Sequence, residues 1–143
     1  MKGSAPQLRL EKPCSFVLID DNPADVRWFE LIAKDIGLQC TVRAYWNVPD
    51  AIRHLAECDQ PCDAIFVTAI PPVLTLQETC AELASVRRLQ SVPVIALIEG
   101  SHDIEFIRRA GLNRWVQKPV NAAELEHVCT QVRTCSAVQA RVN

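Results

Sequence analysis

The stretch DAIFVTAIPP, residues 63–72, decides how the chain is read. Ile65, Phe66 and Val67 form a short apolar run of β-formers between Asp63 and the Pro71-Pro72 pair. That is the signature of a strand buried on both faces of a parallel sheet. In open α/β sheets, ligands bind beyond the carboxyl ends of such strands, so the residue at that end matters most. Here it is Thr68, a hydroxyl.

Working outward, the same alternation of strand and helix occurs five times. CSFVLID (14–20) is a first strand that ends in acid, and Asn22 then caps a helix with Pro23 at its first position, where a missing N–H costs nothing. Val26, Phe29, Ala33 and Ile36 recur along that helix at three- and four-residue steps, and Gly37 stops it. LQCTVRAY (38–45) alternates as a second strand, and PDAIRHLAEC (49–58) is a second helix with Ile52 and Leu55 on one face. After the 63–68 strand, a helix is expected from about Thr75 to Leu89, carrying Leu76, Cys80, Leu83 and Val86. VPVIALI (92–98) is a fourth strand. Ser101 then caps a helix holding Ile104 and Ile107 that ends at Gly111. RWVQKP (114–119) is a short fifth strand. Asn121 with Glu124 resembles a capping box opening a last helix with Leu125, Val128, Cys129 and Val132 on one face.

Five β-α units imply an α/β fold, a doubly wound parallel sheet with five flanking helices, because right-handed crossovers leave few alternatives. The expected strand order is 2-1-3-4-5, the flavodoxin-like arrangement. The domain is read as 14–134, with 1–13 and 135–143 as short terminal extensions.

At 143 residues the chain fits one domain and can bury a sizeable core. Its 15 basic and 17 acidic side chains give a net charge of −2 with no long run of either sign, so no footprint for nucleic acid or an anionic membrane is present. No apolar segment approaches the ~20 residues that span a bilayer. The opening residues lack a signal-peptide core, so a cytoplasmic location is expected. The seven cysteines (Cys14, Cys40, Cys58, Cys62, Cys80, Cys129, Cys135) are an odd number with no paired short spacings. They read as thiols packed as small hydrophobes rather than as a zinc site.

In a 2-1-3-4-5 sheet the ends of strands one, three, four and five converge on one crevice, bringing together Asp20-Asp21, Thr68, Ile98 and Lys118-Pro119. FVLIDDNPADV, VPVIAL and KP before a capped helix resemble the receiver domain of bacterial two-component response regulators, across about residues 14–134. DNPADV looks particularly like the small receivers paired with bacterial phytochromes. The resemblance implies an Asp at the end of strand three that takes a phosphoryl group from a histidine kinase. It also implies an acidic pair (Asp20 and Asp21, mainly the second) that helps hold Mg²⁺, and a strand-four hydroxyl and a lysine (Lys118) that grip the phosphoryl oxygens. A strand-five aromatic (Trp115) then swings inward. A cis bond between Lys118 and Pro119 is implied as well.

The chain departs from that pattern at the acceptor, where Thr68 stands, and at the hydroxyl position, where Ile98 stands. Leu76 and Val48 replace glycines common near helices three and two. A carboxylate is ionised at neutral pH and accepts phosphoryl readily, whereas a Thr hydroxyl needs a base. Mg²⁺ prefers oxygen anions, so losing one of three carboxylates weakens its site: no metal is expected beyond weak Mg²⁺ at Asp21 with Asp20. Three functions follow. The first, favoured, is a non-enzymatic pseudo-receiver that contacts a protein partner (a histidine kinase, another receiver or an output protein) or forms a homodimer. The second is a phosphorelay receiver with an atypical acceptor or noncovalent ligand. The third is a flavodoxin-like binder of FMN or another small molecule, which the acidic DDNP loop opposes. With no DNA-binding or catalytic segment after residue 134, output is expected through a partner. His54, His102 and His127 read as solvated, and Trp28 and Trp46 as packing or rim residues.

Overall fold

The computed structural model describes residues 14–36, 40–57, 62–68, 73–100 and 103–131. Five strands, β1 (Cys14–Ile19), β2 (Cys40–Tyr45), β3 (Ala64–Thr68), β4 (Val94–Ile98) and β5 (Trp115–Gln117), form one sheet in the order β2-β1-β3-β4-β5. Every neighbouring pair is parallel, with Ile19 opposite Val67, Thr68 opposite Leu97 and Ile98 opposite Gln117. The helices are α1 (Pro23–Asp35), α2 (Val48–Glu57), α3 (Val73–Ser85), α4 (Asp103–Arg109) and α5, described over 122–131. The flavodoxin-like α/β fold expected from the sequence is the fold observed.

The period-2 alternation of strand side chains divides the core into two layers. On one face Phe16, Leu18, Phe66, Ile95, Leu97 and Val116 pack against Phe29 and Ala33 of α1 and Leu125, Val128 and Cys129 of α5. Phe16, Phe29 and Phe66 meet edge to face, with centroids 4.9 to 6.5 Å apart. On the other face Val17, Ile19, Ile65, Val67, Ala96 and Ile98 pack against Ala51 and Leu55 of α2, Leu76 and Leu83 of α3 and Ile107 of α4. Burying each such side chain is worth about 1.5–3 kcal/mol, which makes these two layers the main stabilising term.

Local signals account for the boundaries. Asn22 Oδ1 accepts the N–H groups of Ala24 and Asp25, with Pro23 at the first helical position, as the sequence indicated. Asn121 Oδ1 accepts the Glu124 N–H at 2.8 Å, and its amide reaches Glu124 Oε1 at 3.3 Å. Helix α3 does not run to Leu89 as expected. It stops at Ser85, Val86 is extended (φ −85°, ψ 111°), and Arg87–Leu89 form a separate 3₁₀ turn. A β-branched residue gives up the helix readily. Strand β4 starts at Val94 rather than residue 92, because the Val92 N–H is spent on the Leu89 carbonyl of that turn. Strand β5 is limited to Trp115–Gln117. Helix α4 closes with Gly111 at φ 96°, its N–H on Arg108 O and the Leu112 N–H on Ile107 O, the double bond of a Schellman end. Helix α2 starts earlier than expected, at Val48, because Asn47 caps it through the Asp50 N–H at 2.8 Å. The readings of Gly37 as a stop and Ser101 as a cap, and those of His102, Cys58 and Cys135, lie outside the described residues. Cys62 and Cys80 are free thiols, and Cys14 and Cys129 are buried in the core.

Candidate functional site

The carboxyl ends of β1, β3 and β4 and the turn after β5 meet where the strand order reverses, and this crevice holds most of the residues singled out from the sequence. Asp20 follows β1 and is buried. It shares the parity of Phe16 and Leu18, so it belongs to the α1 side of the sheet. Both of its oxygens are used: Oδ1 accepts the Asn22 N–H at 2.9 Å, and Oδ2 accepts the Lys118 ammonium at 2.9 Å. Asp21, the other member of the pair, is exposed at the mouth of the crevice.

Lys118 lies in the turn after β5, where the Lys118–Pro119 peptide is cis. Its backbone N–H donates to the Ile98 carbonyl at 2.7 Å, which ties the turn to the end of β4. Its ammonium reaches a second carboxylate, Asp25 Oδ2, also at 2.9 Å, with Glu99 Oε2 at 4.0 Å. Burial pushes the lysine's pKa down, but hydrogen bonds and charge from Asp25 and Asp20 outweigh it and hold the value above that of a free lysine. The ammonium is therefore a permanent cation within an acidic surround.

Thr68 ends β3, and its Oγ1 is buried without a hydrogen-bond partner among the described residues. It helps line a cleft of about 150 Å³ with Asp20, Asp21, Val48, Leu76 and Thr79, and Trp46 and Asn47 at its rim. Trp46 is among the most exposed large hydrophobics, in keeping with a rim position. Leu76 and Val48, the two replacements for glycine, put apolar bulk into this cleft. Ile98 is 1% exposed and belongs to the α2–α3–α4 layer with Ile107. Trp115 sits on β5 opposite Ala96 and is 37% exposed. A wider groove of about 770 Å³ runs beside it, lined by Arg114, Val116, Glu124, His127 and Gln131 among others.

The structure thus brings Asp20, Asp21, Thr68 and Lys118-Pro119 to one crevice, with Ile98 beneath it, and leaves Trp115 on the outer edge of the sheet. Two participants were missed. Asp25 lies in the first turn of α1, one turn past the acidic pair, and the DNPAD spacing that places it there was legible. Trp28, one turn further on, donates Nε1–H to the Val120 carbonyl at 2.7 Å. His54 is exposed, as expected, and its Nδ1 hydrogen-bonds the Tyr45 hydroxyl. His127 is exposed, as expected.

The magnesium that the receiver resemblance implies needs several free anionic oxygens. Asp20 has both oxygens committed, the β3 position offers a neutral buried hydroxyl, and among the described residues no group of three or more His, Cys, Asp or Glu is arranged to hold a metal. The donor set does not fit that ion.

No family model and no curated protein matches the chain. Solved structures do. The receiver domain of a sensor histidine kinase from Pseudomonas aeruginosa, which has magnesium coordinated in its active-site cleft, matches with 28% identity and a TM-score of 0.68, over 84% of this chain and 97% of that one. The receiver domain of a signal transduction histidine kinase from Syntrophus aciditrophicus matches at 19% identity and TM-score 0.66, over 83% and 89% of the two chains. The bacteriophytochrome response regulator RtBRR matches at 18% and 0.69, over 85% and 78%. The last two likenesses carry the fold alone. With the acidic pair and the lysine-proline turn in place at the carboxyl edge, the chain has the CheY-like fold and is similar to receiver domains of two-component systems. Among the described residues no helix is long and apolar enough to cross a membrane.

Proposed function

We propose that this receiver domain is a pseudo-receiver: a non-enzymatic, cytoplasmic signalling module that works through protein contacts without phosphorylation of an aspartate. The observation that carries the reading is Thr68 at the end of β3, a neutral hydroxyl that is buried and, among the described residues, has no hydrogen-bond partner that could take its proton. Two further features support it. Lys118, which a phosphorylated receiver would use against the phosphoryl group, is already bound to Asp20 and Asp25. Ile98 offers no donor where a hydroxyl is needed. The resting crevice needs no magnesium, because Lys118 neutralises the buried Asp20 carboxylate.

The working surface in this reading is the β5–α5 side, where Trp115 stands beside the 770 Å³ groove. Exposed aromatics anchor protein contacts well. The partner is a histidine kinase, another receiver, an output protein or a second copy of this chain. The test is incubation with acetyl phosphate and Mg²⁺, and separately with a histidine kinase, followed by intact-mass spectrometry. Unmodified protein is expected. A stable adduct of one phosphoryl group on a crevice residue would overturn the proposal in favour of a receiver with an atypical acceptor.

A further inference from the structure

Lys118 and Val120, on either side of Pro119, are both held by α1. Asp25 Oδ2 takes the Lys118 ammonium at 2.9 Å, and Trp28 Nε1–H donates to the Val120 carbonyl at 2.7 Å. Residues 25 and 28 are one turn apart and share a face of the helix. The turn 118–120 is thereby gripped at two points by an element more than 90 residues away in the chain.

The space enclosed by Asp20, Asp25, Trp28, Lys118, Pro119 and Val120 is about 10 Å³, at or under the room that a single water needs. The contacts are therefore direct rather than water-bridged. The Lys118 side chain is 10% exposed and that of Asp20 1%, so the ion pair is weakly screened. Asp25 is 34% exposed and lies in the first turn of α1, where the helix dipole favours a negative charge.

We propose that Asp25 and Trp28 form a clamp in which Asp25 supplies the second carboxylate that Thr68 cannot, fixing the 118–120 turn and, through it, the β5–α5 face. This rests on the pseudo-receiver reading, in which no phosphoryl group is available to hold Lys118. The clamp makes α1 the element that governs the partner face. Trp28 is 43% exposed, so the clamp can open without breaching either core layer. Trp115 lies three residues before Lys118 on β5, and Val120 leads directly into α5; release of the turn frees both walls of the groove together.

The experiment uses the full chain and ¹⁵N spectra in which the three tryptophan indole N–H signals are assigned by single Trp→Phe variants. In Asp25→Asn, exchange of the Trp28 indole N–H with solvent should speed about tenfold or more, because two contacts that close one turn share their free energy. The Trp115 indole signal should shift or broaden as the β5–α5 face loosens, and Asp25→Glu should restore both readouts. Trp28→Phe keeps an aromatic ring but removes the Nε1–H donor along with the five-membered part of the indole; it should raise the exchange rate of the Lys118 amide. Thermal melts and the ring signals of Phe16 and Phe66 report that the core is intact in each variant. If Asp25→Asn leaves the Trp28 indole protection and the Trp115 signal unchanged in a folded protein, the clamp does not exist. That result would leave the pseudo-receiver reading untouched, since the phosphorylation assay judges it separately.

Discussion

Ile98 and Lys118 are joined through the backbone and divided by their side chains. The Lys118 N–H donates to the Ile98 carbonyl at 2.7 Å. The Ile98 side chain, though, is buried in the α2–α3–α4 layer, while the Lys118 ammonium is bound to Asp20 and Asp25 on the α1 side. A receiver brings a strand-four hydroxyl and this lysine together on one phosphoryl group; here the two positions serve different faces of the sheet.

Restoring one position should therefore restore one property. Thr68→Asp places a third carboxylate beside Asp20 and Asp21, and Mg²⁺ affinity measured by calorimetry should rise about tenfold or more, since hard cations follow the count of oxygen anions. Acetyl phosphate should still fail to move the Trp115 signal until Ile98→Thr is added. A single Thr68→Asp variant that switches fully would show that Ile98 is no obstacle.

Lys118→Met should destabilise the domain by about 3 kcal/mol or more, because it leaves the buried Asp20 carboxylate without its counter-charge. Chemical denaturation near neutral pH measures this. The lysine's folded pKa lies above the unfolded value of 10.5. Its contribution is therefore fully present below 10.5 and is lost as pH climbs through the raised value. As the pH is raised from neutral, wild type and Lys118→Met should converge in stability only above pH 10.5, and convergence between neutrality and that point would mean that Lys118 is not charged in the folded protein.

The fold was legible because its determinants are local. Asn22-Pro23, the apolar runs at 14–20 and 92–98, and Gly111 each act within a turn or a strand, and the parallel order follows from handed crossovers. The break after Ser85 was not visible, because Leu83, Val86 and Leu89 continue a helical spacing; only in the fold does Val86 turn extended. The crevice residues were legible by their positions at strand ends. What Lys118 binds was not, because Asp25 and Lys118 are 93 residues apart and both look like ordinary surface charges in the chain. The same holds for Trp28, whose exposed ring conceals a bonded N–H.

Cys62 gives an independent check on the sheet's other end. Burial pushes its thiol up to about 11 although Arg43 opposes the shift, and its Sγ lies 3.6 Å from the Ala64 carbonyl. The thiolate is the reactive form, so at pH 8 Cys62 should alkylate with iodoacetamide far more slowly in the native protein than in urea. Peptide mapping of both samples reads the difference. Equal rates would mean that the 62–64 segment opens freely in the native state.

Ile98 is fully packed against the α4 layer with Ile107, in the place where a receiver keeps a small hydroxyl that leaves room for an inward aromatic. Trp115 stands outward at 37% exposure beside a groove whose walls carry both Arg114 and Glu124. Its ring brings a large rigid area to a contact at little entropic cost. Trp115→Ala should leave the fold intact, because the β5 residue that fills the core is Val116, on the opposite face of the strand. Affinity for a partner recovered from the source cell should fall by about 2 kcal/mol or more if Trp115 is an anchor. Titration of both proteins against that partner, with sedimentation to detect self-association, makes the measurement. Unchanged affinity together with an unchanged oligomeric state would move the working surface away from β5.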